Sequence, residues 1–181
     1  MSRSIWPMLG ALLVLLAACA GAPPQPNASG TPASAGAAAR AILDHELIDV
    51  RSGERFTLGQ ISTDGPVLVE TMAVWCTTCL SQQRQVVAAH ELADFRSVGI
   101  DVDPNERADE LADYAEREGF DWRFAMADTA LVKLLTDAYG FAVTNPPSTP
   151  TFVITTDGRI RALDFGRVRS AEELVAELGA G

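Results

Sequence analysis

The chain has 181 residues, a formal net charge of −10 at pH 7, 48% hydrophobic residues and 21% charged residues. This composition is that of an ordinary soluble globular protein. The excess of acidic residues argues against nucleic acid binding, because phosphate contacts need a basic face. Without an unusual N-terminal segment about 140 residues remain, which is close to the size of one domain.

Residues 1–18 have the features of an export signal, with a positive charge at Arg3 followed by an apolar run. The run is shorter than the about 20 apolar residues that a transmembrane helix needs. It leads into residues 16–19 (LAAC), which resemble the bacterial lipobox. We therefore expect a lipid on Cys19 that anchors the protein to a membrane on its extracytoplasmic side. An ordinary secretory signal with an incidental cysteine is the alternative.

Residues 19–40 are predicted to form a disordered tether. Nearly all of them are Ala, Gly, Pro, Ser or Thr, and such a segment cannot bury enough apolar surface to offset its ordering entropy. A tether of this length would lift a domain clear of a membrane. Residues 41–181 are then predicted to be the folded domain.

The domain begins with two predicted short strands, Glu46–Val50 and Glu54–Leu58, around a glycine turn. A brief helical turn over Leu58–Ile61 follows. Pro66–Val74 is predicted to be a strand, and its apolar content on both faces indicates a central position in a sheet.

Helices and strands are predicted to alternate through the middle of the chain. Asn105 or a neighbour is expected to cap one helix, which Gly119 ends, and Asp128 or Thr129 to cap the next, which Gly140 ends. The predicted elements are a helix from Cys76 to about Arg96, a strand over Val98–Val102, a helix over Glu106–Glu118, an extended segment over Trp122–Ala127 and a helix to about Tyr139.

The last part of the chain is predicted to form a loop over residues 141–149, a hairpin and a helix. Thr151–Thr155 and Arg159–Phe165 flank a TDG turn, which is a hairpin signal. Ser170 and Glu173 have the spacing of a capping box for the final helix. The order of the elements predicts an α/β fold around a mixed sheet, parallel and then antiparallel.

Two cysteines, Cys76 and Cys79, stand at the predicted strand–helix junction. The first turn of a helix stabilises an anion through unpaired N–H groups and the helix dipole, and the thiolate is the reactive form of cysteine. The spacing therefore predicts a reactive dithiol. A structural disulfide and a zinc site are the alternatives, but so small a ring stabilises little, and one cysteine pair is half a zinc site.

Trp75 precedes the cysteine pair, and Thr149-Pro150 opens the predicted hairpin. With these motifs, residues 41–181 resemble the thioredoxin superfamily, and more narrowly the membrane-tethered TlpA/ResA-like thiol–disulfide oxidoreductases. The narrower match rests on the N-terminal hairpin, the strand and helix inserted between Asp101 and Tyr139, and the lipoprotein leader. The resemblance implies a thioredoxin-like fold, with a central mixed sheet flanked by helices.

The resemblance also implies a role for each matched residue. Cys76 matches the exposed cysteine that attacks disulfides, Cys79 matches the buried resolving cysteine, and Trp75 matches an aromatic residue that shields the pair. Pro150 matches a proline that follows a cis peptide bond and faces the disulfide. The backbone of Thr149 would then pair with an extended substrate segment.

Glu70 lies six positions before Cys76, where thioredoxins carry a buried Asp that relays a proton to or from the second cysteine. The strand predicted next contains no lysine, so Glu70 would lack a cationic neighbour and desolvation would raise its pKa. An edge position, from which Glu70 reaches solvent, is the alternative.

Thr77 and Thr78 stand between the cysteines, where thioredoxin has Gly-Pro and TlpA-like proteins often have Pro-Pro. We expect both threonines to contact substrate, but the departure means that the reduction potential cannot be transferred from the family. Residues 145–148 (NPPS) are expected to lie near the dithiol. There they would either shape substrate choice or form a rigid linker.

The resemblance implies a monomeric oxidoreductase that acts on protein thiols and disulfides and needs no cofactor besides the Cys76–Cys79 disulfide. The reductase direction is expected, with electrons from a membrane thiol donor and apocytochromes among the candidate substrates. The alternatives are a redox sensor or a copper metallochaperone of the SCO type on the same fold. The SCO type uses cysteines four apart and a late histidine, whereas no histidine follows His90 here, and no metal is expected.

Overall fold

The computed structural model describes residues 32–180. The expected export signal, Cys19 and the first part of the expected tether lie outside this range. No helix within the described range is long and apolar enough to cross a membrane.

The described residues form an α/β fold. The helices are α1 (Pro32–Leu43), α2 (Leu58–Ser62), α3 (Thr77–His90), α4 (Ala108–Glu118), α5 (Thr129–Tyr139) and α6 (Ala171–Gly179). The strands are β1 (Glu46–Ile48), β2 (Arg55–Thr57), β3 (Val67–Met72), β4 (Arg96–Asp101), β5 (Arg123–Met126), β6 (Thr151–Ile154) and β7 (Ile160–Ala162). Two short 3-10 helices, Phe141–Thr144 and Pro146–Ser148, connect α5 to β6.

The main sheet has the strand order β5-β4-β3-β6-β7, and β1 and β2 form a separate antiparallel hairpin. Strand β3 is central and buried along its whole length, with β4 parallel to it on one side and β6 antiparallel on the other. The remaining pairs are parallel for β4 and β5 and antiparallel for β6 and β7. The predicted fold class is therefore confirmed, including the central strand and the N-terminal hairpin.

Alternating residues of β3 face opposite sides of the sheet, as the pleat requires. Val67 and Val69 pack into a cluster that includes Ile42 of α1 and Leu131 of α5. On the other side, Leu68 packs with residues of α3 and α6, and Met72 packs with residues of α4 and with both cysteines. Glu70 lies between Leu68 and Met72 and thus belongs to the side covered by α3.

Local sequence signals account for several helix ends. Asp128 caps α5 by accepting a hydrogen bond from the Leu131 amide at 2.7 Å, and Ser170 and Glu173 form the predicted capping box of α6. Gly119 ends α4 with a φ of 75°, a left-handed conformation that glycine adopts without a Cβ clash.

The folded part was predicted to start at residue 41, but helix α1 begins at Pro32. Residues 32–40, which were predicted to belong to the tether, are therefore helical. Alanine has the highest intrinsic helix propensity, and α1 carries an alanine-rich run. Ile42 and Leu43 are buried at its C-terminal end and anchor it to the core. Tertiary packing thus stabilises a segment whose composition alone indicates disorder.

The predicted length of the helix after Cys76 is wrong, because α3 ends at His90 and Arg96 already belongs to β4. The amides of Leu92 and Ala93 both donate to the Ala89 carbonyl, which closes the helix in a turn. No glycine or proline marks this end in the sequence, so the usual stop signals are missing.

Candidate active site

Cys76 and Cys79 form a disulfide at the junction of β3 and α3, with an S–S distance of 2.17 Å and a Cα–Cα distance of 5.3 Å. Cys76 is the N-cap residue of α3, and its Sγ accepts a hydrogen bond from the Cys79 amide at 3.1 Å. The sulfur of Cys76 therefore lies where the helix N terminus stabilises negative charge. Once the disulfide is reduced, this position favours the thiolate of Cys76 over that of Cys79.

Both cysteines are buried in the oxidised state, with exposed fractions of 2% for Cys76 and 0% for Cys79. The prediction that Cys76 is exposed is therefore wrong for this state, because Cys76 packs in the cluster that contains Met72 and Leu111. The neighbouring Trp75 is 55% exposed, and Thr77 is exposed on the first turn of α3. These two side chains, with the partly exposed Thr78, form the accessible surface next to the disulfide.

The segment 145–148 forms a wall of the disulfide site, as its position before Thr149 predicts. The Sγ atom of Cys79 lies 3.2 Å from the carbonyl oxygen of Pro146. Pro146 is buried, whereas Pro147 beside it is exposed. In the reduced protein the Cys79 thiol could donate a hydrogen bond to this carbonyl, which would stabilise the protonated form of Cys79.

The predicted cis bond before Pro150 is wrong, because residues 32–180 contain no cis peptide bond. The turn before Pro150 is made by Thr149, whose backbone is left-handed, with φ 46° and ψ 58°. With the turn made there, Pro150 continues into β6 through a trans bond, and its carbonyl accepts the amide of Thr71 at 3.1 Å. The carbonyl of Pro146 lies within hydrogen-bonding distance of the Cys79 sulfur.

The predicted pairing of the Thr149 backbone with substrate is also wrong. Thr149 is 0% exposed, and its amide donates to the Pro146 carbonyl at 2.8 Å. Its own carbonyl accepts the hydroxyl of Thr151 at 3.0 Å. Both backbone groups are thus bonded within the domain and are not free for an added strand.

Glu70 is buried in the middle of the sheet, with an exposed fraction of 4%, so the edge position is excluded. Its register partners are Gly99 on β4 and Thr151 on β6. Neither carboxylate oxygen has a hydrogen-bond partner in the described part of the chain. Burial raises the pKa of Glu70 well above its usual range, as the sequence predicts for a carboxyl without a cationic neighbour.

A small cavity of about 10 Å³ lies between Glu70 and α3. Gln83, four positions after Cys79 and therefore about one turn along α3, lines this cavity together with Ser97. Gln83 accepts a hydrogen bond from the Tyr114 hydroxyl at 2.6 Å, while its Nε2 atom has no partner within residues 32–180. The cavity has nearly the volume of one buried water molecule, but most of its lining is apolar.

The sequence did not single out Glu106, whose carboxylate binds the loop before the cysteines. Its Oε2 atom accepts the amide of Val74 at 2.8 Å, and its Oε1 atom accepts the amide of Trp75 at 3.3 Å. The Trp75 indole donates to Asp103 at 2.7 Å. The predicted start of this helix at Glu106 is two residues early, because α4 begins at Ala108 with the neighbouring Arg107, and not Asn105, as its N-cap residue.

Asp101 ends β4 beside Met72 and is 0% exposed. Its Oδ1 atom accepts the Asp103 amide at 2.8 Å, and its Oδ2 atom has no other partner among the described residues. Burial, and then the nearby carboxyl of Glu106, raises the pKa of Asp101 to about 8. At neutral pH Asp101 is therefore mostly protonated. The sequence does indicate where Asp101 and Asp103 lie, because they stand at the end of β4, and polar residues after parallel strands gather at the same edge of a sheet.

The two histidines have structural contacts. His45 lies 3.2 Å from Asp128, and His90 contacts the Ser97 hydroxyl at 2.9 Å and stacks on Phe95. Between residues 32 and 180 no group of three His, Cys, Asp or Glu side chains could hold a metal ion.

The fold is thioredoxin-like, with the disulfide at the end of the central strand. A thiol:disulfide interchange protein of the thioredoxin family from Chlorobium tepidum is 21% identical, with a TM-score of 0.60 over 75% of this chain and 91% of that chain. A secreted disulfide oxidoreductase of Mycobacterium tuberculosis is 17% identical, with a TM-score of 0.55 over 77% and 97%. A DsbF homologue from Corynebacterium diphtheriae is 19% identical, with a TM-score of 0.60 over 77% and 85%.

These likenesses show a shared fold at low sequence identity. No family model matches the chain, and no curated protein matches it.

Proposed function

We propose that this protein is an extracytoplasmic thiol–disulfide oxidoreductase that exchanges its Cys76–Cys79 disulfide with cysteines of other proteins. The observation that carries the proposal is the disulfide at the β3–α3 junction, with the sulfur of Cys76 at the N terminus of α3. The activity named for the Chlorobium tepidum protein and the secreted state of the Mycobacterium tuberculosis protein support it, since both share this fold.

In the reductase direction, the Cys76 thiolate attacks one sulfur of a substrate disulfide. A mixed disulfide forms, and the other substrate sulfur leaves as a thiolate that takes up a proton. Cys79 then loses its proton and attacks the sulfur of Cys76, which closes the Cys76–Cys79 disulfide and releases the second substrate thiolate. Two electrons pass from the protein to the substrate, so a thiol donor must reduce the protein after each cycle.

Glu70 is the proposed acceptor of the proton that Cys79 loses. Its buried carboxyl has a raised pKa, as a general base that works near neutral pH requires. It lies on the α3 side of the sheet and lines a cavity with Gln83, one turn beyond Cys79.

The proposal also covers the membrane anchor, the electron donor and the substrate. We place the protein on a membrane through a lipid on Cys19, as a TlpA/ResA-like monomer that receives electrons from a membrane thiol donor and reduces proteins such as apocytochromes. Trp75, Thr77 and Thr78 would contact the substrate, because they form the accessible surface beside the disulfide.

A trapping experiment in the native host tests the proposal. The Cys79→Ser variant cannot resolve the mixed disulfide and should accumulate as covalent complexes with substrate proteins that dithiothreitol releases. The double variant Cys76→Ser/Cys79→Ser is the matched control and should trap none. Absence of complexes with Cys79→Ser, together with stoichiometric copper binding by the wild type, would replace the proposal with a copper carrier.

A further inference from the structure

Glu106 and Asp103 bind the loop that carries Cys76, and Asp101 in turn binds the Asp103 amide. All three residues lie outside the site residues that the sequence indicated. We call Asp101, Asp103 and Glu106 the acidic strap. Glu106 accepts both backbone amides that directly precede Cys76, and Asp103 accepts the indole of Trp75.

The strap brings carboxylate oxygens to the two backbone amides that directly precede Cys76. A thiolate is stabilised when backbone amides donate to it and when positive charge lies nearby. Here the amides of Val74 and Trp75 donate to a carboxylate, and the Cys76 amide donates to the Ala73 carbonyl at 3.0 Å. The helix N terminus remains as a source of stabilisation, through the Cys79 amide.

The charge of the strap is not offset by the arginine next to it. Arg107, which follows Glu106 directly, pairs with Asp109 on α4. The Trp75 indole lowers the pKa of Asp103, so this carboxylate is ionised at neutral pH. Burial beside Glu106 raises the pKa of Asp101 to about 8, so Asp101 is mostly protonated at neutral pH and adds little charge to the strap.

We propose that the acidic strap fixes the loop before Cys76 and disfavours its thiolate, which shifts the dithiol–disulfide equilibrium towards the disulfide and makes the protein a stronger reductant. This inference rests on the proposed exchange function and concerns its direction. Glu106 and Asp103 act through the loop and through their charge, so they are positioning residues and do not contact the exchanged bond.

The test compares Glu106→Gln with the wild type in two measurements on the full-length protein. One is the ultraviolet titration of the Cys76 thiolate, and the other is the equilibrium in which dithiothreitol reduces the protein disulfide to the dithiol and is itself oxidised to its cyclic disulfide. Removal of the charge should lower the pH midpoint of the titration by about one unit, a tenfold change in thiolate fraction at a given pH. The equilibrium should move towards the dithiol by roughly three- to tenfold.

Glu116→Gln is the matched control, because Glu116 is exposed on α4 and lies roughly 12 Å along the helix axis from its first residue, Ala108. It removes the same charge and should leave both measurements unchanged. Asp103→Asn provides a second variant should Glu106→Gln fold poorly, since an asparagine oxygen can still accept the indole. It should shift both measurements in the same direction by a smaller amount.

The inference is overturned if the thiolate titration and the dithiothreitol equilibrium are unchanged in both strap variants, or if Glu116→Gln shifts them equally. Mixed disulfides trapped by Cys79→Ser would in that case still support the proposed exchange function. If the strap variants shift both measurements but Cys79→Ser traps no substrate, the role of the strap is supported and the proposed exchange with other proteins is contradicted.

Discussion

The Sγ atom of Cys79 lies 3.2 Å from the carbonyl oxygen of Pro146, so residues 67 positions apart in the chain meet at the disulfide. The fixed φ of a proline limits the positions that its carbonyl can take. The wall that covers Cys79 is therefore stiff, and its stiffness should control how readily a reductant reaches the disulfide.

Pro146→Ala should loosen this wall. We expect reduction of the disulfide by dithiothreitol to become severalfold faster, measured from the change in tryptophan fluorescence, and the free energy of unfolding to fall by about 0.5–1 kcal/mol. Pro147→Ala is the control, because Pro147 is the exposed neighbour. An equal acceleration in both variants would show that the contact with Cys79 does not matter.

Replacement of Glu70 should change how stability depends on pH. The folded-state pKa of Glu70 is raised by burial, so between the unfolded and folded pKa values the folded state holds one proton more, and stability falls as pH rises. Glu70→Gln removes this term, and its stability relative to the wild type should increase from pH 5 to pH 8 in urea unfolding. A constant difference over this range would contradict the expectation.

Glu70→Gln also tests whether Glu70 takes part in the reaction, apart from its effect on stability. Because glutamine cannot accept a proton, Glu70→Gln should slow the closure of the mixed disulfide by Cys79 about a hundredfold at neutral pH, at the low end of general-base effects. The rate is measured from release of a labelled thiol that is preloaded on Cys76. A normal rate in a stable variant would assign the buried carboxyl no part in the reaction.

Asp101→Asn should remove the part of the pH dependence of stability that the Asp101 carboxyl causes. With its pKa raised to about 8, Asp101 keeps its proton in the folded state while the unfolded state has lost it, so wild-type stability declines as pH rises from about 4 to about 8. Asparagine has nearly the same size as a protonated aspartic acid and stays neutral at every pH. The variant should therefore match the wild type near pH 4 and be more stable at pH 9, whereas the exposed Asp113→Asn should follow the wild type throughout.

Gly99→Ala should destabilise the sheet beside Glu70. A Cβ atom at Gly99 would lie 2.4 Å from Cε1 of Phe124, an aromatic ring buried in the core. Overpacking of this kind costs about 1–3 kcal/mol, which thermal or urea unfolding would measure. Gly36→Ala is the contrasting control, because an added Cβ on α1 has no atom within 4 Å in the described structure and helix propensity favours alanine.

The elements that sequence patterns predict well are those set by local interactions. The apolar run of β3, the capping box at Ser170 and the glycine at 119 each act over a few residues, and each appears where the pattern places it. The position of Cys76 at the start of α3 has the same origin. The sequence left burial of Glu70 and an edge position as alternatives, and the place of β3 in the middle of the sheet decided between them.

The disulfide at the end of the central strand is thus what the sequence by itself determined about this protein, since a buried strand followed by a helix brings Cys76 and Cys79 to a helix N terminus. Its surroundings were decided by tertiary structure alone. The contact of the Pro146 carbonyl with sulfur and the binding of the loop amides by Glu106 depend on contacts between distant segments. Such contacts follow from the backbone path of loops, and a residue's type does not reveal which distant group it will meet.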